Sequence, residues 1–156
     1  MRYMRKSKRR KERIKKIGIL LIVALVAMVA WKASEIYYGK INLSKLENME
    51  RPEWIDGQII DVDGASRSGE KLDSVKDIVI HYVGNPGSTA QENRDYFNGL
   101  KDSHETEASS NFVVGLEGEI IQCVPTWEMA YASNERNEDT VSIECCHPDK
   151  TGKFTK

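Results

Sequence analysis

The stretch Asp77-Ile-Val-Ile-His-Tyr-Val-Gly-Asn-Pro-Gly87 decides the fold. Ile78, Val79, Ile80, Tyr82 and Val83 form an apolar, β-branched run, which predicts a buried strand over Asp77–Val83. His81 interrupts the run. A loop with two glycines and a proline follows at once, and Gly84 and Gly87 shape that turn. No Gly-Lys-Ser/Thr comes after it, so it is not a phosphate loop. An imidazole in such a strand is either a satisfied core residue or a ligand presented at the strand's end.

Outward from this strand the pattern alternates. A helix is predicted over Thr89–Leu100, with Ser88 and Gln91 at capping-box spacing and Ala90, Tyr96, Phe97 and Leu100 on its apolar face. Lys101–Ser110 is a polar loop, in which His104 is read as exposed. Asn111–Val114 and Glu119–Val124 read as a hairpin turning at Glu117-Gly118. Asp139–Cys146 is another strand, and Gln58–Ile60 a short edge strand. One helix among several strands gives an α/β domain on a mixed central β-sheet. A single helix covers one face only, so the domain is expected to be incomplete over the residues given.

The N-terminal end differs. The formal net charge of the chain is -1, but residues 1–16 carry ten Lys or Arg and one acid, Glu12. The tail is therefore about +9 and the remainder about -10. Ile17–Trp31 holds no charge and no proline. Fifteen helical residues span roughly 22 Å, and snorkelling Lys15, Lys16 and Lys32 with interfacial Trp31, Tyr37 and Tyr38 extend the reach. We read a basic cytoplasmic tail (1–16), a transmembrane signal anchor (17–38), a linker (39–51) and a folded domain (52–156). A cleaved signal peptide and a buried soluble helix are the rival readings. Ala30 and Ala33 lack a small residue two positions earlier, which argues against cleavage. Basic residues preceding an apolar span point to a membrane and not to nucleic acid, and the positive-inside rule puts the domain outside the cytoplasm.

The polar residues that interrupt apolar strands are His81 and Glu144. A neutral imidazole suits zinc, and a carboxylate on a neighbouring strand suits a general base. Ser142, Glu144 and Cys146 share one strand face. Cys123, Cys145 and Cys146 form no CxxC and read as small buried residues. A Cys145–Cys146–His147 metal cluster is disfavoured, because strand neighbours point to opposite faces. Trp127 either stacks on sugar or packs on the sheet, and packing is the favoured reading. Asn134, Arg136 and Asn137 line a groove or a solvated loop.

Three ordered blocks, "IVIHYVGNPGSTAQENRDYFNGL", "ASSNFVVGLEGEIIQCVP" and "AYASNERNEDTVSIECCHPDKTGKF", resemble the zinc-dependent N-acetylmuramoyl-L-alanine amidases of the type-2 family, relatives of the peptidoglycan recognition proteins. The resemblance runs from about Pro52 to Lys156. It implies a mixed sheet flanked by helices and a bound Zn2+. It also implies peptidoglycan as partner, with hydrolysis of the bond between N-acetylmuramic acid and L-alanine. His81 matches the first zinc ligand and Glu144 the catalytic acid/base. The family's remaining ligands, a histidine and a cysteine or aspartate, come from a later block expected beyond Lys156. Where relatives carry a histidine or an aromatic-histidine pair, this chain has Ser110 and Asn111. A non-catalytic muropeptide-binding module of the same fold is the alternative, and no protein partner is implied.

Overall fold

A computed structural model describes residues 2–154, with the side chains of residues 2–12, 35–42 and 44 outside the described set. The basic residues before Arg13, and Tyr37 and Tyr38, therefore lie outside it as side chains. Two compact units divide at Tyr38 and Gly39. The first is helical. Helix α1 runs Arg2–Glu47, and within it Arg13–Ser34 is long and apolar enough to cross a membrane. None of that span is buried against protein.

The second unit is built on a five-stranded mixed sheet. Strands β1 (Ile55–Gly57), β2 (Asp77–Tyr82), β3 (Phe112–Val114), β4 (Ile120–Gln122) and β5 (Thr140–Cys145) lie in the order β1-β4-β3-β5-β2. β3 and β4 are the antiparallel hairpin that the sequence predicts, and the other pairings are parallel. Gly118, at φ 86°, takes the left-handed position that the hairpin turn requires. The first strand departs from expectation: Ile55–Gly57 pairs with β4, whereas Gln58–Ile60 leaves the ladder. Gln58 and Ile60 still donate to the carbonyls of Gln122 and Cys123 (3.1 and 2.9 Å). Ile60, 1% exposed, turns into the core, and that burial outweighs continued pairing.

Helix α2 (Ala90–Ser103) packs Ala90, Phe97 and Leu100 inward, against a core that includes Val113, Ile121 and Val83. Its cap lies one residue later than the sequence spacing predicts. Thr89 Oγ1 accepts from Glu92 N, and Glu92 Oε2 accepts from Thr89 N (3.2 and 2.8 Å). A carboxylate in the first turn also faces the positive helix end, which Gln91 could not exploit. Ser88 Oγ donates instead to Asn85 O (2.7 Å). Replacing Thr89 by alanine is expected to cost about 1 kcal/mol, measured as a shift in the denaturation midpoint. His104, read as an exposed loop residue, is exposed and caps the helix at φ 51°, its N–H bonded to Leu100 O.

Side chains alternate along each strand. Val79 and His81 are half-buried and Val83 joins the core with Ala90 and Phe97, whereas Ile78, Ile80 and Tyr82 on the other face are 64–68% exposed, so the strand expected to be buried is covered on one face only. The expectation that a single helix leaves one face of the sheet thinly covered holds at β2.

Candidate active site

β2 and β5 run parallel and in register, with His81 opposite Glu144 and Val113 of β3 the next residue in that row. Neighbouring strands lie about 4.8 Å apart, so the two side chains rise side by side on the face that α2 covers. The sequence reading paired these residues by chemistry alone, and the register makes them neighbours.

Their polar atoms are unusual. Three buried side-chain atoms have no hydrogen-bond partner among the described residues: His81 Nε2, Glu144 Oε2 and Ser133 Oγ. Two of the three belong to this pair. Buried polar atoms are nearly always satisfied, so two unpartnered ones on adjacent strands are groups free to meet a ligand. Burial raises the Glu144 carboxyl above its ordinary value, against a smaller opposing pull from His81. Glu144 opens onto a cleft of about 340 Å3 whose walls include Val83, Asn85, Asn93, Tyr96 and Phe97. The first turn of α2 and the loop after β2 thus form the cleft. Gly87, at φ 85°, closes that loop by donating to His147 O (2.8 Å).

The other sequence candidates are structural. Burial pushes the thiols of Cys123 and Cys146 up to about 12 and about 11, and Cys145 is raised for the same reason. A protonated thiol is a poor metal ligand. His147 is 3% exposed. Its Nδ1 and Nε2 face Asp149 O (2.7 Å) and Val83 O (3.0 Å), so it ties the loop after β5 to the end of β2. Among the described residues no group of three or more His, Cys, Asp or Glu could hold a metal ion.

The groove-or-loop residues after Ala132 also bind their own chain. Arg136 joins the starts of β2 and β5 through Asp77 and Asp139, both at 2.6 Å, and holds the Asp139 carboxyl below the ordinary range. Asn137 Oδ1 accepts from the backbone of Ala132 and Ser133. Trp127 is half-buried and lines a hollow together with Phe112 and Pro125.

Asn111 is a hub that sequence reasoning missed. Fully buried, its Nδ2 donates to Pro125 O and Glu128 O (3.0 and 3.3 Å), and its Oδ1 accepts from Ser142 N and Oγ (2.9 and 3.2 Å). Ser110 Oγ bonds Ser142 Oγ at 3.2 Å. The amide joins β3, β5 and the segment at Pro125. Asn111→Ala strands several buried groups and is expected to cost about 2–3 kcal/mol, measured by urea denaturation.

Comparison with known proteins gives one answer. The sequence profile described as N-acetylmuramoyl-L-alanine amidase matches residues 71–156. The chain is 37% identical over 84 residues to the N-acetylmuramoyl-L-alanine amidase CwlL of Bacillus licheniformis, a match that covers 54% of this chain and 23% of that protein. It is 37% identical over 76 residues to the N-acetylmuramoyl-L-alanine amidase BlyA of Bacillus subtilis strain 168, covering 49% of this chain and 19% of BlyA. The chain thus spans about a quarter or less of the length of these curated relatives. A mutant endolysin from Bacillus subtilis superposes with a TM-score of 0.51 at 26% identity, covering 60% of this chain and 61% of that one. The catalytic domain of XlyA does so with a TM-score of 0.51 at 24% identity, over 61% and 63%, and shows the shared fold. With more than half of its length under the matching profile, this chain belongs to the type-2 N-acetylmuramoyl-L-alanine amidase family.

Proposed function

We propose that the protein hydrolyses the amide bond between N-acetylmuramic acid and L-alanine in peptidoglycan, with Zn2+ as cofactor. One observation carries the reading: His81 Nε2 and Glu144 Oε2 are buried, adjacent in register and both without a partner. An unpartnered imidazole nitrogen fits one ligand position of a zinc site, so His81 is the residue here that would hold the metal. Bound there, zinc supplies Lewis-acid polarisation of the scissile carbonyl and acidifies a water. A closed site needs ligands beyond His81, and no group of three is present among the described residues.

Glu144 does the proton work. As a carboxylate it takes a proton from the attacking water. As the acid it returns that proton to the leaving amine of L-alanine. Burial raises the carboxyl above its ordinary value, which makes it a stronger base toward water than a solvated carboxylate.

The chain's own span gives the setting. Arg13–Ser34 acts as a single-pass anchor with the basic tail inside and the domain outside the membrane. Activity is then confined to wall close to the membrane. In cell fractionation the protein is expected in the detergent-extracted membrane fraction, and recovery from the soluble fraction without detergent contradicts the anchor.

The reaction is tested by incubating the intact, detergent-solubilised protein with purified peptidoglycan and zinc. New amino termini, identified as L-alanine, are the expected product. The lack of a described metal-binding trio favours a second reading, a muropeptide-binding module of the same fold. Tight binding to peptidoglycan with no new amino termini is its signature.

A further inference from the structure

A second depression lies on the other side of the first turn of α2. It holds about 580 Å3, within the range of small-molecule sites. Its walls include Arg51, Trp54, Asp56, Gln58, Gln91 and Glu119. Its inner edge is Thr89 and Gln91, whereas Ser88, Glu92 and Asn93 line the Glu144 cleft. The two hollows therefore meet across one helical turn.

Trp54 is 69% exposed. It sits in a turn that Ile55 N closes on Pro52 O at 3.0 Å, which holds the indole at the rim without packing it. Beside it, the Arg51 guanidinium lies across β1, its Nε donating to Ile55 O (3.2 Å). A Cβ on Gly57 would stand 1.9 Å from that guanidinium, so a side chain there would push Arg51 aside. Gln58 and Gln91 bond each other reciprocally (2.7 and 3.0 Å), and Asp56 accepts from Gln58 (2.8 Å). Gln91 also donates to Asp95 (3.0 Å), so the N–H groups of both amides are engaged and the hollow offers an exposed indole with amide and carboxylate oxygens as acceptors. Pyranose rings are recognised by such sets: their C–H face stacks on the indole, and their hydroxyls donate to carboxylates. The Arg51–Gln58 wall lies outside the profile-matched residues 71–156.

We propose that this hollow is a saccharide subsite, with Trp54 as stacking platform, for the N-acetylhexosamine units of a glycan strand that continues past the Glu144 cleft. The proposal rests on the peptidoglycan reading above. It makes the protein prefer a polymer over a single muramoyl peptide.

The test titrates the intact protein in detergent micelles by calorimetry. The probes are a peptide-free disaccharide of N-acetylglucosamine and N-acetylmuramic acid, a longer oligomer of the same unit, and a muramoyl peptide. The oligomer is expected to bind about tenfold more tightly than the disaccharide. Trp54→Ala removes that gain, Trp54→Phe restores part of it, and the muramoyl peptide binds all three proteins alike. An oligomer affinity unchanged by Trp54→Ala overturns the subsite, as does an equal loss of muramoyl-peptide binding in that variant. So does an effect of Trp54→Ala on partition to anionic lipid vesicles alone, which assigns the indole to the membrane surface. If the muramoyl peptide binds and the oligomer gains nothing, the subsite fails and the amidase reading stands. If the wild type binds neither, both fail.

Discussion

Glu144→Gln is expected to lower turnover of peptidoglycan by about 10^2–10^4-fold while muropeptide affinity stays within a few-fold of wild type. The amide keeps the size of the side chain and its place beside His81 in the row, so the cleft walls do not move. What it loses is the ability to take a proton from water and return it to the amine. A paired measurement of turnover and muropeptide affinity separates the two effects. Equal losses in both would move Glu144 from proton transfer to substrate binding. The same variant carries a stability signature of known sign. Burial raises the Glu144 carboxyl in the folded state, so the folded protein holds this proton more firmly than the unfolded chain does. Glu144 therefore opposes folding as pH rises from the ordinary carboxylate range through its folded value, and it is neutral below that range. Glu144→Gln is expected to be more stable than wild type at pH 7. The difference vanishes at about pH 3, below the unfolded carboxyl value. Urea denaturation at the two pH values reads it.

How this site was legible follows from the physics of strands. His81 and Glu144 each break an apolar run of period two, and such a break is visible in a single sequence. Their adjacency was not visible. It needs β5, whose first pairing joins Asp77 to Thr140, 63 residues later, to insert between β3 and β2, and nothing local fixes that order. The first strand was misplaced for a local reason. Ile-Asp-Gly has weak β-propensity and Gln-Ile-Ile a strong one, yet pairing with β4 chose the former and burial of Ile60 took the latter. The cap shifted by one because Ser88 and Thr89 each have an acceptor three residues on, and the carboxylate won. Asn111 read as a departure from its relatives. Its bonds to Ser142, Pro125 and Glu128 depend on contacts that no periodicity encodes.

Arg67 shows the same limit at higher cost. Its Nε and one terminal nitrogen grip both oxygens of Glu128 at 2.6 and 2.8 Å, and its other terminal nitrogen donates to Ile60 O at 2.8 Å. Both side chains are largely buried, 16% and 11% exposed. The fork pins the segment before β2 to the turn after β4, across 61 residues of sequence. Arg67→Ala is expected to destabilise the domain by about 3–5 kcal/mol, because it leaves a buried carboxylate with neither its counter-charge nor its donors. Arg67→Lys restores the charge without the planar fork and is expected to recover only part of that loss. Replacing both partners by methionine removes the buried charge altogether, so the double variant is expected to be more stable than Arg67→Ala alone. Chemical denaturation of the intact protein in detergent, run as a double-mutant cycle, measures the coupling. If Arg67→Ala costs under about 1 kcal/mol, the pair behaves as a solvated surface bridge and the segment before β2 is held by Ile60 and its neighbours instead.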